Sequence, residues 1–125
     1  MNYTVVIRGR LDNLNDYIAD CRTDPHKGAY TKKQNEKICM IAIQKSMRGI
    51  KIQSKVKMLY RWYEKDRRRD PDNISSFGRK VFLDALVTCG VIKNDGWRNI
   101  VGFSDEFYVD PGNPRIEVEI QEVGT

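Results

Sequence analysis

The sequence predicts an α+β fold, in which helices pack against one mixed β-sheet of about four strands. Apolar residues recur at helical spacing in three segments and alternate with polar residues in others. With 125 residues, 40% of them hydrophobic and 31% charged, the chain is long enough to bury one core and too apolar for a disordered segment. No repeat or linker rich in proline, glycine or serine divides the chain, so residues 1–125 are expected to form a single domain.

The amino-terminal half is predicted to hold a strand and two helices. Residues 3–7 are β-rich and apolar and run into an Arg-Gly-Arg turn, as a strand would. Asn13 is a suitable cap for a short helix, which Asp24 and Pro25 would end. The apolar residues of this helix are Leu14, Tyr17, Ile18 and Cys21.

A second, longer helix is predicted from Thr31 onward. The residues that continue its period are Ile38, Ile41, Ala42 and Lys45. This phase would turn three lysines toward solvent, namely Lys32, Lys33 and Lys37. The apolar positions are therefore expected to face the core.

The carboxyl-terminal half is predicted to add three strands and a helix. Residues 54–63 alternate with a period of two, and residues 100–109 and 115–122 are rich in β-branched and aromatic side chains. The turn between the last two strands would be formed by residues 110–114. An apolar stripe at helical spacing ends at Gly90 and consists of Ile74, Phe77, Val81, Ala85 and Leu86.

Charge and cysteine content narrow the class of protein. The 22 basic and 17 acidic residues give a net charge of +5, which fits a partner that carries phosphates, although many basic proteins bind no nucleic acid. The three cysteines form no CxxC pair and only one histidine is present, so no structural zinc is expected. No apolar run has the length of a signal core or a membrane span, and we expect a cytoplasmic protein.

The most informative segment is Arg-Arg-Arg-Asp-Pro-Asp-Asn at residues 67–73. Pro71 favours an extended conformation at Asp70, and on an extended backbone Asp70 and Asp72 would project the same way. Two such carboxylates repel each other unless positive charge lies between them. Magnesium suits this role, because it binds one or two carboxylates and completes its shell with water and phosphate oxygens.

A third aspartate, Asp95, follows the predicted helix in an Asn-Asp-Gly loop, which would return near Asp70 and Asp72 if the helix runs back along the sheet. Such a site can activate water and hold the scissile phosphate of DNA. Lys80 or Arg79 would add positive charge at the transition state.

Each of these patterns also has a purely structural interpretation. Asp-Pro-Asp-Asn before a helix is typical of a turn with an N-cap, and Asn-Asp-Gly is an ordinary turn. A run of arginines is commonly a solvated loop, and Lys80 is spaced to form a surface ion pair with Asp84, which is not taken as a ligand. His26 has no catalytic partner at a useful spacing, and the aromatic residues of the 54–63 strand are expected to pack in the core more readily than to stack on bases.

The run from Arg68 to Asp95, RRDPDNISSFGRKVFLDALVTCGVIKND, resembles the signature of RusA-type crossover junction endodeoxyribonucleases. In that family an Asp-x-Asp-Asn motif is followed by a lysine, by Asp-Ala-Leu, and by a further aspartate. The resemblance implies that Asp70, Asp72 and Asp95 bind Mg²⁺, with Mn²⁺ as the alternative, and that Lys80 lies near the cleaved phosphate. It also implies a homodimer with one site per subunit. Resolvases of this family are common in bacteria and their phages.

The chain departs from the family pattern in one place. Better-known members carry the lysine only a few residues after the Asp-Asn pair, whereas six residues, 74–79, intervene here, as if four had been inserted. Lys80 is aligned by its distance to Asp84, which leaves Arg79 as the alternative basic residue. The DNA-contacting residues are predicted to be Arg67, Arg68, Arg69, Arg79 and Lys80.

Three functions therefore stay open at the level of sequence. The leading hypothesis is a metal-dependent endonuclease that resolves four-way DNA junctions by paired nicks from a symmetric dimer. The second is a basic DNA-binding protein without catalysis, in which the carboxylates cap a helix. The third is a nuclease that cuts branched DNA more broadly.

Overall fold

The computed structural model describes residues 1–123, which form four strands and three helices around one hydrophobic core. The predicted α+β class is confirmed. The strands are β1 (Asn2–Arg8), β2 (Lys55–Glu64), β3 (Ile100–Val109) and β4 (Arg115–Val123). The helices are α1 (Leu14–Thr23), α2 (Pro25–Met47) and α3 (Pro71–Thr88).

The four strands form one mixed sheet in the order β1-β4-β2-β3. The last strand of the chain, β4, lies in the interior and pairs antiparallel with both β1 and β2, while β3 pairs parallel with β2 at one edge. The chain between β3 and β4 therefore passes across the end of β2, where the Asp110 N–H donates to the Glu64 carbonyl at 2.7 Å. The parallel pair requires a crossover, and α3 supplies it.

The core lies between the sheet and the helices. The period-two prediction for β2 is confirmed, because its buried apolar side chains are Val56, Met58, Tyr60 and Trp62 while Lys55 and Lys57 are exposed. The predicted stripe on α3 is also confirmed, with all five of its residues buried and Gly90 in the left-handed region at a φ of 76°. The buried side chains of β2 and α3 thus belong to one hydrophobic core between the sheet and the helices.

The prediction for α2 was wrong at its start and in its phase. This helix begins at Pro25, because the Asp24 side chain accepts from the His26 N–H and proline is favourable at the first helical position. Lys33 and Lys37 face solvent, as predicted. Ile38 and Ile41 are also exposed, however, and Lys32 is half-buried beside Asp84. The buried face of α2 consists of Gly28, Thr31, Asn35, Cys39, Ile43 and Met47.

The buried face of α2 differs from the predicted one because it includes polar residues, among them Asn35. The Asn35 amide donates to the Thr31 carbonyl and to the Asp12 carboxylate, both at 2.8 Å, and its oxygen accepts from the Asp12 N–H at 2.9 Å. A buried polar group with its hydrogen bonds satisfied avoids the cost of desolvation. None of the helices in residues 1–123 combines the length and the apolar character needed to cross a membrane.

Gly78 allows α3 to pack closely on the sheet at Trp62. A Cβ atom at this position would lie 2.5 Å from Cη2 of the buried Trp62. We expect Gly78→Ala to lower the free energy of unfolding by about 1–2 kcal/mol, because overpacking outweighs the gain of up to about 1 kcal/mol in helix propensity. Urea unfolding measures the change.

Gly102→Ala is the control, since a Cβ there meets nothing within 4 Å. If Gly78→Ala is as stable as the wild type, the close packing of helix on indole is not a constraint.

Candidate metal and DNA-binding site

The two aspartates of the Asp-Pro-Asp-Asn motif lie at the start of α3. Asp70 occupies the N-cap position with φ −74° and ψ 144°, so the extended conformation predicted from Pro71 is confirmed. Asp72 already belongs to the first helical turn. The premise that both residues lie on an extended segment is therefore wrong, because the helix begins at Pro71 itself.

Both carboxylates are available at the surface. Asp70 and Asp72 are exposed, and within residues 1–123 neither side chain forms an ion pair or a hydrogen bond. Asp70 has the position of an N-cap without the side-chain hydrogen bond of one. The capping interpretation thus describes its place in the backbone but leaves its oxygens free, near the positive end of the helix dipole.

The three arginines before the motif have different surroundings. Arg69 binds the buried Glu64 through two hydrogen bonds of 3.0 and 3.1 Å and donates a third to the Leu11 carbonyl at 2.9 Å. Arg67 is exposed, and Arg68, with 85% of its side chain exposed, forms an ion pair only with Asp66 among residues 1–123. Arg69 is therefore held by the fold, whereas Arg67 and Arg68 can reach a phosphate.

Lys80 lies between two acidic residues on the outer face of α3. Its Nζ is 3.0 Å from Asp84 and 3.4 Å from Asp95, and 58% of its side chain is exposed. The hydrogen bond to Asp84 raises the pKa of the Lys80 ammonium, partial burial opposes that rise, and Asp95 adds to it. The predicted Lys80–Asp84 pair is thus confirmed, and Asp95 joins it.

Arg79 points the other way, toward β3. Its guanidinium forms an ion pair with Asp105 and lies 4.4 Å above the ring of Phe103, and Asp105 also accepts from the Trp62 indole at 2.9 Å. Only 21% of the Arg79 side chain is exposed. Of the two basic residues that sequence left as alternatives, Lys80 is the accessible one.

The structure places Asp95 apart from the other two aspartates of the predicted triad. Asp95 contacts Lys80, which is eight residues from Asp72 on α3, or about 12 Å along the helix axis. Among residues 1–123 no group of three or more His, Cys, Asp or Glu side chains is placed to hold a metal ion. The chain therefore offers two carboxylates at one end of α3 and a third farther along it.

Asp70 and Asp72 nevertheless supply the kind of oxygen ligand that a hard divalent cation prefers. Magnesium takes oxygen ligands and often only one or two carboxylates, with water and phosphate oxygens in its other positions. Asp70 lines a surface cleft of about 500 Å³ with Arg67, Arg69, Phe107 and Tyr108. A phosphate can approach this cleft beside free carboxylate oxygens and a free guanidinium.

Sequence reasoning missed two features near this site. Asp105 was not singled out, since its partners Trp62 and Arg79 lie 43 and 26 residues away and no local pattern joins them. No role for Trp97 follows from the sequence, and its side chain is 94% exposed in the structure. Exposure of so large an apolar group is a signal that only coordinates supply.

Comparison with known proteins adds a match over most of the chain. The family model described as Endodeoxyribonuclease RusA matches residues 16–121. No curated protein matches the chain. The matched residues include both carboxylates at the start of α3, Lys80 and Asp95.

Asp105 links α3, β2 and β3, so its charge should matter for stability. We expect Asp105→Asn to lower the free energy of unfolding by about 1–3 kcal/mol, because Arg79 would lose its charged partner in a largely buried position. Asp66→Asn removes the same charge from an exposed pair and should change stability by less than about 1 kcal/mol. Equal effects of the two substitutions in thermal unfolding would contradict this assignment.

The pKa of Lys80 should respond unequally to its two acidic neighbours. Asp84→Asn should lower the pKa of Lys80, since the hydrogen bond to Asp84 is the largest cause of its rise, and Asp95→Asn should lower it less. An NMR titration that follows the Lys80 side chain measures both shifts. A larger effect of Asp95→Asn would show that Asp95 is the principal partner.

Proposed function

The chain belongs to the RusA family of endodeoxyribonucleases, and from this premise we propose that it is a divalent-metal-dependent enzyme that resolves four-way DNA junctions by paired, symmetric nicks. The observation that carries the proposal is that Asp70 and Asp72, at the start of α3, are exposed and have no side-chain partner within the part of the chain that the structure describes, while Arg67 and Arg68 beside them are exposed as well. Two exposed carboxylates two residues apart offer hard oxygen ligands to a divalent cation beside a source of positive charge that attracts phosphate.

Asp70 and Asp72 are the proposed metal ligands, and magnesium is the proposed ion, with manganese as the alternative. Asp95 is the third ligand that the family resemblance implies, and within one chain it lies farther along α3, beside Lys80. When bound, such an ion would neutralise charge on the scissile phosphate and lower the pKa of an attacking water. The protein supplies the oxygen ligands on a helix start whose backbone is fixed by Pro71 and by the buried apolar face of α3. The carboxylates are therefore held on a rigid element, as catalysis requires.

The basic residues have separate proposed roles. Lys80 would bind a non-bridging phosphate oxygen, since its ammonium is exposed and stays protonated, with a pKa above the ordinary value. Arg67 and Arg68 would bind phosphates along the strand and position the duplex without reading its sequence. Arg69 and Arg79 would act indirectly, by holding the loop and the helix in place.

A four-way junction and a homodimer complete the proposal. Two equivalent sites related by a two-fold axis can cut two strands of like polarity, and a closed dimer supplies that symmetry. A nuclease that also cuts other branched DNA would use the same residues. A DNA-binding protein without catalysis would use only the arginines and Lys80, and the free state of the two carboxylates argues against it.

Cleavage of a synthetic four-way junction in the presence of Mg²⁺ tests the proposal. Wild-type protein should introduce symmetric nicks, and Asp72→Asn should reduce the rate at least about 100-fold while binding of the junction persists, because only the carboxylate charge is removed. The readout pairs a denaturing gel for cleavage with a mobility-shift assay for binding.

Asp24→Asn is the matched control, since it removes one aspartate charge at another helix start and asparagine caps equally well. It should cleave as the wild type does. Binding without cleavage by the wild-type protein over a range of Mg²⁺ and Mn²⁺ would favour the non-catalytic alternative. Equal cleavage of forks and flaps would favour the broader nuclease.

A further inference from the structure

The loop of residues 93–99, between α3 and β3, presents a tryptophan to solvent. Trp97 is 94% exposed, whereas the other tryptophan, Trp62, is buried. The indole borders a surface cleft of about 290 Å³ that is also lined by Val101 and Phe103, both about half exposed. A cleft with several exposed apolar side chains marks a binding site more strongly than one isolated side chain does.

Backbone hydrogen bonds hold the part of the loop that carries Trp97. The Val56 N–H donates to the Asn99 carbonyl at 2.8 Å, which ties the end of the loop to β2. The Gly96 carbonyl accepts from the Asn99 and Ile100 N–H groups at 3.1 and 3.0 Å, and these bonds form a turn that includes Trp97. A ligand of the indole therefore binds to a loop that is already ordered, and the entropy lost on binding is small.

The exposed indole is flanked by cations. Lys93 and Arg98 are exposed, and neither forms an ion pair within residues 1–123. Arg98 follows Trp97 directly, while the acidic residue of the loop, Asp95, is compensated by Lys80 at 3.4 Å. An aromatic surface beside unpaired cations suits a nucleotide, which combines a flat apolar base with a negatively charged phosphate.

We propose that Trp97 stacks on an uncovered base at the branch point of DNA, and that this contact favours branched DNA over a linear duplex. The inference rests on the proposed function for the kind of nucleic acid that is bound. It deepens that function by naming a residue that selects the substrate.

The selectivity follows from the stacking of bases. In a linear duplex the bases are covered on both faces, so an indole can enter the stack only if two base pairs are first separated, which costs free energy. At an open branch point the last base pair of an arm has one face without a neighbour. An indole can stack there without that cost, and the contact tolerates any sequence because every base has an aromatic face.

Trp97 and Lys80 lie within reach of one DNA strand. The Lys80 Nζ contacts Asp95, and Trp97 is two residues farther along the chain. Two residues span at most about 7 Å. A strand whose phosphate is bound by Lys80 can therefore place the base of the same or the next nucleotide on the indole, and the branch point is then held beside that lysine.

Binding measured in EDTA tests the inference apart from metal-dependent cleavage. We expect Trp97→Ala to weaken binding of a synthetic four-way junction at least about fivefold, and binding of a linear duplex less than about twofold. Trp97→Phe keeps an aromatic ring and should retain most of the affinity for the junction. Trp97→Leu keeps only the apolar character and should lose that affinity. Fluorescence anisotropy of end-labelled DNA measures these affinities.

Tyr30→Ala is the matched control, since it removes an aromatic ring that is 64% exposed on α2. It should bind both DNAs as the wild-type protein does. Equal losses of affinity for junction and duplex in Trp97→Ala, or no loss for either, would overturn the inference. Full affinity in Trp97→Leu would overturn it as well, because stacking needs an aromatic ring.

Tryptophan emission reports the contact directly. Trp62 is 1% exposed, so iodide should quench chiefly the emission of Trp97 in the free protein. The junction should protect this emission from iodide, whereas the linear duplex should leave the iodide quenching nearly unchanged. Trp97→Phe protein supplies the background emission of Trp62. Equal protection by the duplex would contradict the selection of branched DNA.

Mass and cleavage measurements separate this inference from its alternatives. A second copy of this chain is the competing occupant of the cleft, so a lower molar mass of Trp97→Ala than of the wild type in light scattering would overturn the inference. If the wild-type protein cuts no DNA and Trp97→Ala still loses junction binding, the proposed nuclease function fails and the base contact stands. If the wild type nicks the junction and Trp97→Ala binds and nicks it equally well, the base contact is wrong although the nuclease stands.

Discussion

The contact between Trp62 and Gly78 determines where α3 lies on the sheet. The indole is fully buried, its Nε1 donates to Asp105, and the helix approaches it closely enough that no side chain fits at Gly78. Asp105 in turn holds Arg79, so one aromatic side chain joins β2, β3 and α3. Because Asp70 precedes this helix and Asp72 and Lys80 lie on it, the positions of these three proposed catalytic groups depend on that contact.

A buried carboxylate performs a similar role just before the helix. Glu64 at the end of β2 is 5% exposed, and its charge is compensated by Arg69 through a bidentate pair and by Arg10 at 3.5 Å. An unpaired carboxylate there would be costly, so the loop cannot leave this geometry without penalty. Asp70 follows Arg69 directly, and a residue chosen for DNA contact on sequence grounds is thus used to position its neighbour.

Local patterns in the sequence were sufficient for most of the elements but not for their contacts. The Asn13 cap was predictable because its partner Asp16 is three residues away, and β2 was predictable because burial alternates strictly along it. The face of α2 was not, since Asn35 is buried through bonds to Asp12, 23 residues away. The motif located Asp70 and Asp72, whereas the separation of Asp95 from them depends on how α3 crosses the sheet.

The number of residues between Asn73 and Lys80, six in this chain, determines how far Lys80 lies from the carboxylates along α3. Four extra residues make about one turn of an α-helix with a remainder of about 40°, so Lys80 stays near the same face and moves about 6 Å along the axis. All the proposed catalytic groups lie on the single crossover between two parallel strands, β2 and β3. Insertions or deletions in that connection can therefore change the distance between Lys80 and the carboxylates, while the strands of the sheet keep their hydrogen-bonded register.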